Sequence, residues 1–184
     1  MRVVSGLAKG TQLKTPDGLD TRPTTDRIKE AMFSIIQFDL PGAKILDLFG
    51  GTGQLGIEAL SRGASSAVFI DASPVACKLI RENLKRTKLE RNATVLQNDY
   101  EKFLKTTAEK FDIILLDPPY AEKFLENALN LITEIDILQR NGIIVTERSI
   151  DKVFPYQFDG YLRSRDYKYG STILTVFRKE AAEE

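Results

Sequence analysis

The sequence predicts an α/β fold in which helices cover both faces of a mostly parallel sheet. Short apolar segments alternate with amphipathic helical segments from residue 44 to residue 147, which is the order of elements in a parallel sheet with crossover helices. The predicted strands are apolar on both faces, as strands buried beneath helices are. A glycine-rich loop follows the first of these strands, at the position where α/β proteins commonly bind a ligand.

The first forty residues predict an extension that precedes this sheet. Residues 2–14 alternate around Gly6 and Gly10, which predicts a small β-hairpin with a glycine-bearing turn. A helix is predicted to begin near Thr25 or Asp26, because either side chain can cap it. We therefore predict one domain over residues 1–184, made of a hairpin and helix extension (1–40), a core (41–179) and a tail (180–184).

Strands and helices are predicted to alternate through the core. The predicted strands are 44–49, 67–71, 93–97, 111–116 and 142–147, and the predicted helices are 54–62, 74–88, 100–107 and 123–134. After Gly160 no long helical pattern follows, and residues 161–169 and 172–177 predict two strands joined at Gly170 and Ser171. The sheet is therefore expected to end in an antiparallel hairpin.

The composition excludes several kinds of chemistry. The 184 residues include no His and one Cys, which excludes a Ser-His-Asp triad, a His-ligated or Cys-pair metal site and an internal disulfide. No apolar run approaches the length of a membrane span, and the first residues lack the core of a signal peptide. We therefore expect a cytoplasmic protein that binds no metal and contacts no membrane.

Charge is balanced over the whole chain but unevenly distributed along it. Lys+Arg and Asp+Glu each number 26. Residues 1–31 carry six basic and four acidic groups, and residues 148–179 carry seven basic and three acidic groups. If these two regions meet in space, they form a basic patch for an anionic polymer, whereas the simpler interpretation is solvated surface charge.

The loop after the first strand has the glycine spacing of a nucleotide-binding loop. The three glycines are Gly51, Gly53 and Gly56. Their spacing matches the dinucleotide fingerprint, and Asp71 lies where that fingerprint has its ribose-binding acid. A nicotinamide or flavin enzyme is therefore one interpretation. The same layout serves S-adenosylmethionine, whose ammonium group favours a carboxylate at the end of the strand, where Asp47 stands.

The sequence Asp117-Pro118-Pro119-Tyr120 closes the fourth predicted strand. The prolines fix the backbone, so that the Asp117 carboxylate and the Pro118 carbonyl are aimed at one point. Two acceptors in one plane orient an exocyclic amine, and Tyr120 can stack on the face of a base. Methyl transfer to such an amine needs orientation and electrostatics, and it needs no His.

The order of these motifs resembles a known class of enzymes. The residues that carry the resemblance are Ile45 to Gly53, then Asp71, Asp99 and Asp117-Pro118-Pro119-Tyr120. They are similar to the class I S-adenosylmethionine-dependent amino-methyltransferases. The resemblance implies a Rossmann-like, seven-stranded, mostly parallel sheet with an antiparallel last strand, which agrees with the hairpin predicted above.

Further segments resemble one family within that class, the RsmD family. They are Arg2-Val3-Val4-Ser5-Gly6 with Lys9-Gly10, Arg22-Pro23-Thr24-Thr25-Asp26-Arg27, residues 55–64 and Tyr169-Gly170-Ser171-Thr172. Members of this family methylate the N2 amine of one guanine in bacterial 16S ribosomal RNA. Two positions depart from the family pattern: Gly50 stands where Ala is more usual, and Asp71 stands where Glu is more usual.

The resemblance also implies roles for individual residues. It places Asp117, Pro118 and Tyr120 against the guanine as the catalytic group, with Asp117 orienting the amine. It implies cofactor contacts at Asp47, Phe49, Gly50, Gly51, Gly53, Asp71, Ala72, Asp99 and Tyr100. It implies RNA contacts at Lys9, Arg22, Thr24, Arg27, Arg165 and Tyr169. The expected cofactor is S-adenosyl-L-methionine, and the expected partner is 16S rRNA in the small ribosomal subunit or an assembly intermediate.

Three other functions remain open on the sequence. The same fold and motif serve methyltransferases that act on DNA or on a protein glutamine, although the short chain leaves no room for a separate DNA-recognition domain. An RNA-binding or assembly module that retains the pocket without activity is a second alternative. A nicotinamide oxidoreductase is the third, although hydride transfer has no evident use for the Asp-Pro-Pro-Tyr sequence.

Overall fold

A computed structural model of the chain describes residues 1–16, 23–118, 122–151, 157–158 and 160–179, with the backbone alone at 23–25, 122–123 and 157. These residues build one sheet with the strand order β3-β2-β1-β4-β5-β8-β7-β6. The strands are β1 (Lys44–Asp47), β2 (Ser66–Asp71), β3 (Ala93–Gln97), β4 (Phe111–Leu116), β5 (Leu138–Ser149), β6 (Gln157–Phe158), β7 (Tyr161–Tyr169) and β8 (Thr172–Lys179).

The first five strands are parallel, and β8 runs antiparallel to both β5 and β7. This confirms the predicted parallel sheet with an antiparallel last strand. The seven-strand pattern is complete without β6, a two-residue strand that pairs with the start of β7. The signal for β6 is weak in the sequence, because its stability comes from packing: the buried ring of Phe158 lies edge-on to Phe177, with ring centroids 5.5 Å apart.

Five helices connect and cover the strands. They are α1 (Pro23–Ile35), α2 (Gln54–Ser61), α3 (Pro74–Thr87), α4 (Tyr100–Thr106) and α5 (Glu122–Ile135). The start of α1 is two residues earlier than the earliest predicted start, at Thr25, because proline fits the first turn of a helix, where its missing N–H is no loss. In the described part of the chain, no helix is long and apolar enough to cross a membrane.

The helices divide between the two faces of the sheet. We call the face covered by α1, α2 and α3 the first face, and the face covered by α4 and α5 the second face. Side chains alternate between the faces along each strand: Ile45 lies in the first-face core, and Leu46 in the second-face core. This alternation determines which side of the sheet each polar residue at the strand ends occupies.

Residues 1–14 form the predicted hairpin, and it packs against the core. Arg2 and Gln12 make an antiparallel bridge. The side chain of Asn83 on α3 accepts a hydrogen bond from Lys14 N at 2.7 Å, and its amide donates to Lys14 O at 3.0 Å and to Thr52 O at 2.9 Å. Asn83 therefore fastens both the hairpin and the glycine-rich loop to the same helix.

A buried carboxylate fastens the other end of the hairpin. Glu58 on α2 is fully buried and accepts hydrogen bonds from Val4 N at 2.8 Å and Ser5 N at 2.9 Å. Lys29 of α1, itself 1% exposed, lies 3.6 Å from the same carboxylate. Burial lowers the pKa of Lys29, while the nearby Glu58 and Asp26 raise it in part. The hairpin, α1 and α2 are thus joined by one polar cluster.

Candidate active site

Four carboxyl-bearing side chains lie at the carboxyl ends of neighbouring strands. Asp47 ends β1 and is in register with Phe69 of β2 and Leu115 of β4. Asp71 and Asp117 each come two residues after those partners, and Glu147 comes two residues after the partner of Leu115 on β5. Because residues two apart share a face, all four side chains belong to the first face. The strand register therefore brings Asp47, Asp71, Asp117 and Glu147 to one edge of the sheet.

The glycine-rich loop holds a tight turn between β1 and α2. Gly50 N donates to Ile70 O at 2.8 Å, and Gly53 N donates to Gly50 O at 2.6 Å. Gly53 has φ 79° and precedes the first residue of α2, and a Cβ there would lie 3.1 Å from Ile80 Cγ2. A Cβ at Gly50 would meet Ile80 Cδ1 at 2.8 Å. The Ile80 side chain thus occupies the room that an alanine at position 50 would need.

Asp47 is the most deeply buried of the four acids. It is 2% exposed, and its Oδ2 accepts a hydrogen bond from Gly56 N in the first turn of α2 at 3.0 Å. Burial raises the pKa of Asp47 to about 7; the bond from Gly56 opposes this shift, and the nearby Asp117 and Asp71 add to it. A buried carboxyl that resists ionisation gains most from a bound cation, so Asp47 suits an ammonium group.

Asp71 is held by two backbone amides. Its Oδ2 accepts from Gly51 N and its Oδ1 accepts from Ser73 N, each at 2.8 Å. A carboxylate has about four lone-pair sites, so both oxygens retain acceptor capacity for a pair of hydroxyl groups. Ala72, which lies between Asp71 and Ser73 in the chain, is exposed. The side chain of Asp71 is shorter than the glutamate that is more usual at this position, and the orientation fixed by these two hydrogen bonds compensates for the difference.

Asp99 and three aromatic rings form the next part of the edge. Asp99 precedes α4, and its Oδ1 accepts from Glu101 N at 3.0 Å and Lys102 N at 3.1 Å, which leaves Oδ2 for a ligand. Phe49 and Tyr100 lie with ring centroids 5.2 Å apart, and Phe124 of α5 lies 5.8 Å from Tyr100. Sequence reasoning missed Phe124, because a phenylalanine in an amphipathic helix looks like ordinary core.

Asp117 has a carboxyl neighbour that sequence reasoning also missed. Burial raises the pKa of Asp117 to about 6. Burial, with a contribution from the charge of Asp117, raises the pKa of Glu147 to about 7. The signal was present: Glu147 ends the fifth predicted strand, and Asp47 likewise lies near the end of the first. Pro118 is half-buried at the same edge, and Tyr120 lies outside the described residues.

The residues that fit S-adenosylmethionine are thus Asp47 for the ammonium, Asp71 for the ribose hydroxyls and Asp99 for the adenine amine. One further acceptor lies at this edge. Gln54 Oε1, at the first position of α2, is buried and has no hydrogen-bond partner in the part of the chain that the structure describes. Buried polar atoms in native proteins are nearly always paired, so this oxygen suits a donor from a bound ligand. The set of acceptors and the glycine turn fit the cofactor.

Among the described residues predicted to contact RNA, Lys9 lies apart from Arg165 and Tyr169. Lys9 is exposed in the turn of the hairpin. In the same turn Leu7 N donates to the carbonyl of Ser61, the last residue of α2, at 2.7 Å. Because α2 runs back from the carboxyl edge of the sheet, this contact places Lys9 at the amino edge, away from the acids. Arg27 is exposed on the second turn of α1. Arg165 and Tyr169 both lie on β7. Arg22 lies outside the described residues, as does the side chain of Thr24.

Comparison with known proteins gives a consistent picture. The family model described as "Conserved hypothetical protein 95" matches residues 1–178. A Bacillus subtilis (strain 168) protein provisionally named as an rRNA methyltransferase, YlbH, is 41% identical over 182 residues, covering 97% of this chain and 99% of that protein. Ribosomal RNA small subunit methyltransferase D of Escherichia coli (strain K12) is 30% identical over 184 residues, covering 100% of this chain and 92% of that protein.

A solved structure gives the same result. The yhhF protein of Escherichia coli, described provisionally as a methyltransferase, superposes with a TM-score of 0.88 at 28% identity, covering 98% of both chains. The family match, the relatives and the shared structure all extend over the hairpin, the glycine-rich loop and the strand edge described above. The chain therefore belongs to the Conserved hypothetical protein 95 family, the RsmD family of methyltransferases.

Proposed function

We propose that this protein transfers a methyl group from S-adenosylmethionine to the exocyclic N2 amine of a guanine in 16S rRNA. The observation that carries the proposal is the row of first-face carboxyl groups, in which Asp47 and Asp71 are fixed by backbone amides and Asp117 lies on the next strand. One part of this row suits a cofactor with an ammonium and a ribose, and the other part suits an amine that must be oriented. Because the two parts are adjacent, the site suits the transfer of a methyl group from the cofactor to the amine.

The cofactor supplies, when bound, a methyl group on a positively charged sulfur. The chain's own contribution is to position that cofactor. Asp47 binds the ammonium, and binding stabilises the ionised carboxylate that burial disfavours. Asp71 accepts from the ribose hydroxyls with an orientation fixed by Gly51 and Ser73. Asp99 accepts from the adenine amine through the oxygen that does not cap α4.

The acceptor amine is held by the residues after β4. The Asp117 carboxylate and the Pro118 carbonyl accept hydrogen bonds from the two N–H groups of the guanine N2. Positive charge develops on this nitrogen as it forms its bond to the methyl carbon and the carbon–sulfur bond breaks. The ionised Asp117 stabilises that charge and accepts the proton that the nitrogen releases. Burial raises the pKa of both Asp117 and Glu147, and the charge of Asp117 raises that of Glu147 further, so the second carboxyl of the pair ionises less readily than the first.

The names of the relatives support RNA as the acceptor. The Escherichia coli protein is named for the small-subunit ribosomal RNA, and the Bacillus subtilis protein is named for rRNA. We therefore infer 16S rRNA as the substrate, in the small subunit or an assembly intermediate, and the cytoplasm as the location. The guanine N2 is the finer part of this proposal, and DNA and protein glutamine are the acceptors to compare.

The test is a transfer assay with a panel of acceptors. Small subunits and protein-free 16S rRNA from cells that lack the gene are incubated with the protein and methyl-labelled S-adenosylmethionine, beside duplex DNA and total protein. We expect label in RNA, and loss of that label with Asp117→Ala. The matched control is Asp112→Ala, because Asp112 lies near the other end of β4 and contacts Lys44 N. Label in DNA or protein but not in RNA contradicts the proposal.

A further inference from the structure

Strand β7 carries a row of aromatic and basic side chains on the first face. Arg165, Tyr167 and Tyr169 alternate along the strand and are in register with Val176, Leu174 and Thr172 of β8. Val176 and Leu174 belong to the first-face core, so their partners Arg165 and Tyr167 lie on that face, and so does Tyr169, two residues after Tyr167. We call Arg165, Tyr167 and Tyr169 the β7 row.

The β7 row is both anchored and accessible. Tyr167 and Tyr169 are half-buried and pack against the first-face core. Arg165 is exposed, and its guanidinium carbon lies 5.2 Å from the centroid of the Tyr167 ring. Rings held in this way present a flat surface at little entropic cost, and a guanidinium beside them adds a cation that can pair with phosphate.

The row lies along the outer part of the sheet. On the side of β7 away from β8, the short strand β6 pairs only with Tyr161 and Leu162, so in the described part of the chain no strand lies along the outer side of the rest of β7. The remaining charges of β7 belong largely to the other face: Arg148 lies 2.8 Å from Asp166, and Arg163 pairs with the same carboxylate. Arg165 is the cation of β7 that faces the row of tyrosines.

The row also leads to the proposed active site. Glu147 is in register with Leu174, which is in register with Tyr167. Tyr167 therefore lies two strands from Glu147 in the same line across the sheet, roughly 10 Å away. Tyr169 and the turn that follows it reach the same edge of the sheet as the four acids. The row is thus within the reach of nucleotides that flank a base bound at Asp117.

The acidic edge alone is a poor surface for RNA. Four carboxyl groups repel phosphate, so the polymer must gain its affinity from groups beside the edge. A guanine whose amine is bound at the strand ends no longer stacks on the adjacent bases of the RNA. One face of each adjacent base is then unstacked and can bind the protein. Tyrosine rings beside a cation suit such bases and the phosphates that join them.

From this geometry we infer that the β7 row binds single-stranded RNA flanking the target guanine, with bases stacked on Tyr167 and Tyr169 and a phosphate paired with Arg165. The inference rests on the proposed function, because it places the target base at Asp117. It makes the row a determinant of RNA affinity, separate from the residues that hold the cofactor. Loss of the row therefore weakens RNA binding and leaves the cofactor pocket intact.

The test separates stacking from folding and from charge. Tyr167→Leu and Tyr169→Leu keep an apolar side chain on the core and remove the aromatic face, whereas Tyr167→Phe and Tyr169→Phe keep it. Arg165→Gln removes the cation. Lys168→Gln is the matched control, because Lys168 is exposed on the same strand and faces the other side. Each variant is assayed for KM and kcat with 16S rRNA at saturating S-adenosylmethionine, and for the thermal shift that the cofactor produces.

We expect each Leu variant to raise KM for RNA about 5- to 100-fold, with kcat within about twofold and the cofactor shift retained. The Phe variants recover most of the lost affinity. Arg165→Gln lowers the slope of log KM against log salt by about 0.7, as expected for one phosphate contact to a single strand, and Lys168→Gln leaves it unchanged. Because Arg165 is exposed, this second measurement holds even if a Leu variant does not fold.

Three outcomes overturn the inference. The first is that the wild-type protein methylates RNA, but the Leu variants and Arg165→Gln have the same KM as Lys168→Gln. This result refutes RNA binding by the β7 row and leaves the proposed function standing. A rise in KM for assembled subunits but not for protein-free RNA assigns the row to a ribosomal protein instead. A wild-type protein that methylates no RNA refutes the proposed function itself, and the inference with it.

Discussion

Replacing Asp47 by asparagine should make the unliganded protein more stable while removing cofactor binding. The side chain is 2% exposed, and burial raises its pKa from the ordinary value of 3.8 to about 7. Asparagine has the same shape and keeps an oxygen for the Gly56 N–H, but it carries no charge to bury. The substitution therefore isolates the electrostatic cost of placing an acid at the end of β1.

The magnitude follows from the difference between the folded and unfolded pKa of Asp47. Below pH 3.8 the group is protonated in both states and has no effect. As the pH rises from about 4 to about 7 the unfolded state loses the proton first, so the folded state is progressively destabilised. The cost reaches roughly 4 kcal/mol above pH 7 and changes by roughly 2 to 3 kcal/mol between pH 5 and pH 8.

The assay is urea unfolding of the wild type and of Asp47→Asn, without cofactor, at pH 5 and pH 8. We expect the variant to be more stable at both pH values and its advantage to grow at pH 8. The wild type should bind S-adenosylmethionine more weakly as the pH falls below about 7, because protonation removes the charge that the ammonium needs. A variant less stable than wild type at pH 8, or an advantage independent of pH, would refute the reasoning.

Three other substitutions test separate parts of the structure. Glu147→Gln should leave the acidic limb of the kcat/KM profile in place, because burial raises the pKa of Asp117, whereas the charge of Asp117 acts on Glu147. Glu58→Gln should lower the free energy of unfolding by about 3 to 5 kcal/mol, since it removes the buried counter-charge of Lys29 and leaves only the more distant Asp26 at 4.0 Å. Gly6→Ala should destabilise far more than Gly10→Ala: both have positive φ, but only at Gly6 would a Cβ collide, at 1.7 Å from Ser61 O.

Each of these has a measurement that decides it. A shift of the acidic limb to lower pH in Glu147→Gln would mean that Glu147 is ionised while Asp117 titrates, which contradicts this expectation. For Glu58, urea unfolding is compared with that of Glu82→Gln, whose exposed pairing with Lys14 should matter little. Equal midpoints for the two glycine variants in thermal unfolding would show that residues 5–7 do not dock on α2 as described.

The sequence contained most of the fold because its strongest signals are local. Alternating apolar strands and amphipathic helices predicted β1 to β5 and the terminal hairpin, and the Gly170 turn was correctly placed between β7 and β8. The start of α1 was predicted late, since the cap residues Thr25 and Asp26 lie inside a helix that begins at Pro23. The strand β6 was not predicted, because two residues carry no periodicity and their place depends on a ring contact with β8.

The candidate site could be predicted from the sequence where its residues lie within short motifs. Asp47, Asp71 and Asp117 belong to recognisable motifs, so each of them was singled out from the sequence. Glu147 lies outside any motif, and it joins them only through the pairing of β4 with β5. The role of Lys9 depends on which end of α2 the hairpin docks against, and no sequence pattern gives that. Contacts between distant segments are what the sequence left undetermined.

The most direct test of the central claim is the identity of the methylated nucleoside. Small subunits from cells that lack the gene are treated with the protein and methyl-labelled S-adenosylmethionine, and the digested RNA is analysed by mass spectrometry. The account predicts label in N2-methylguanosine, absent with Asp117→Ala although that variant still binds the cofactor. Label in a methylated adenosine or cytidine, or none in RNA despite demonstrable cofactor binding, would contradict it.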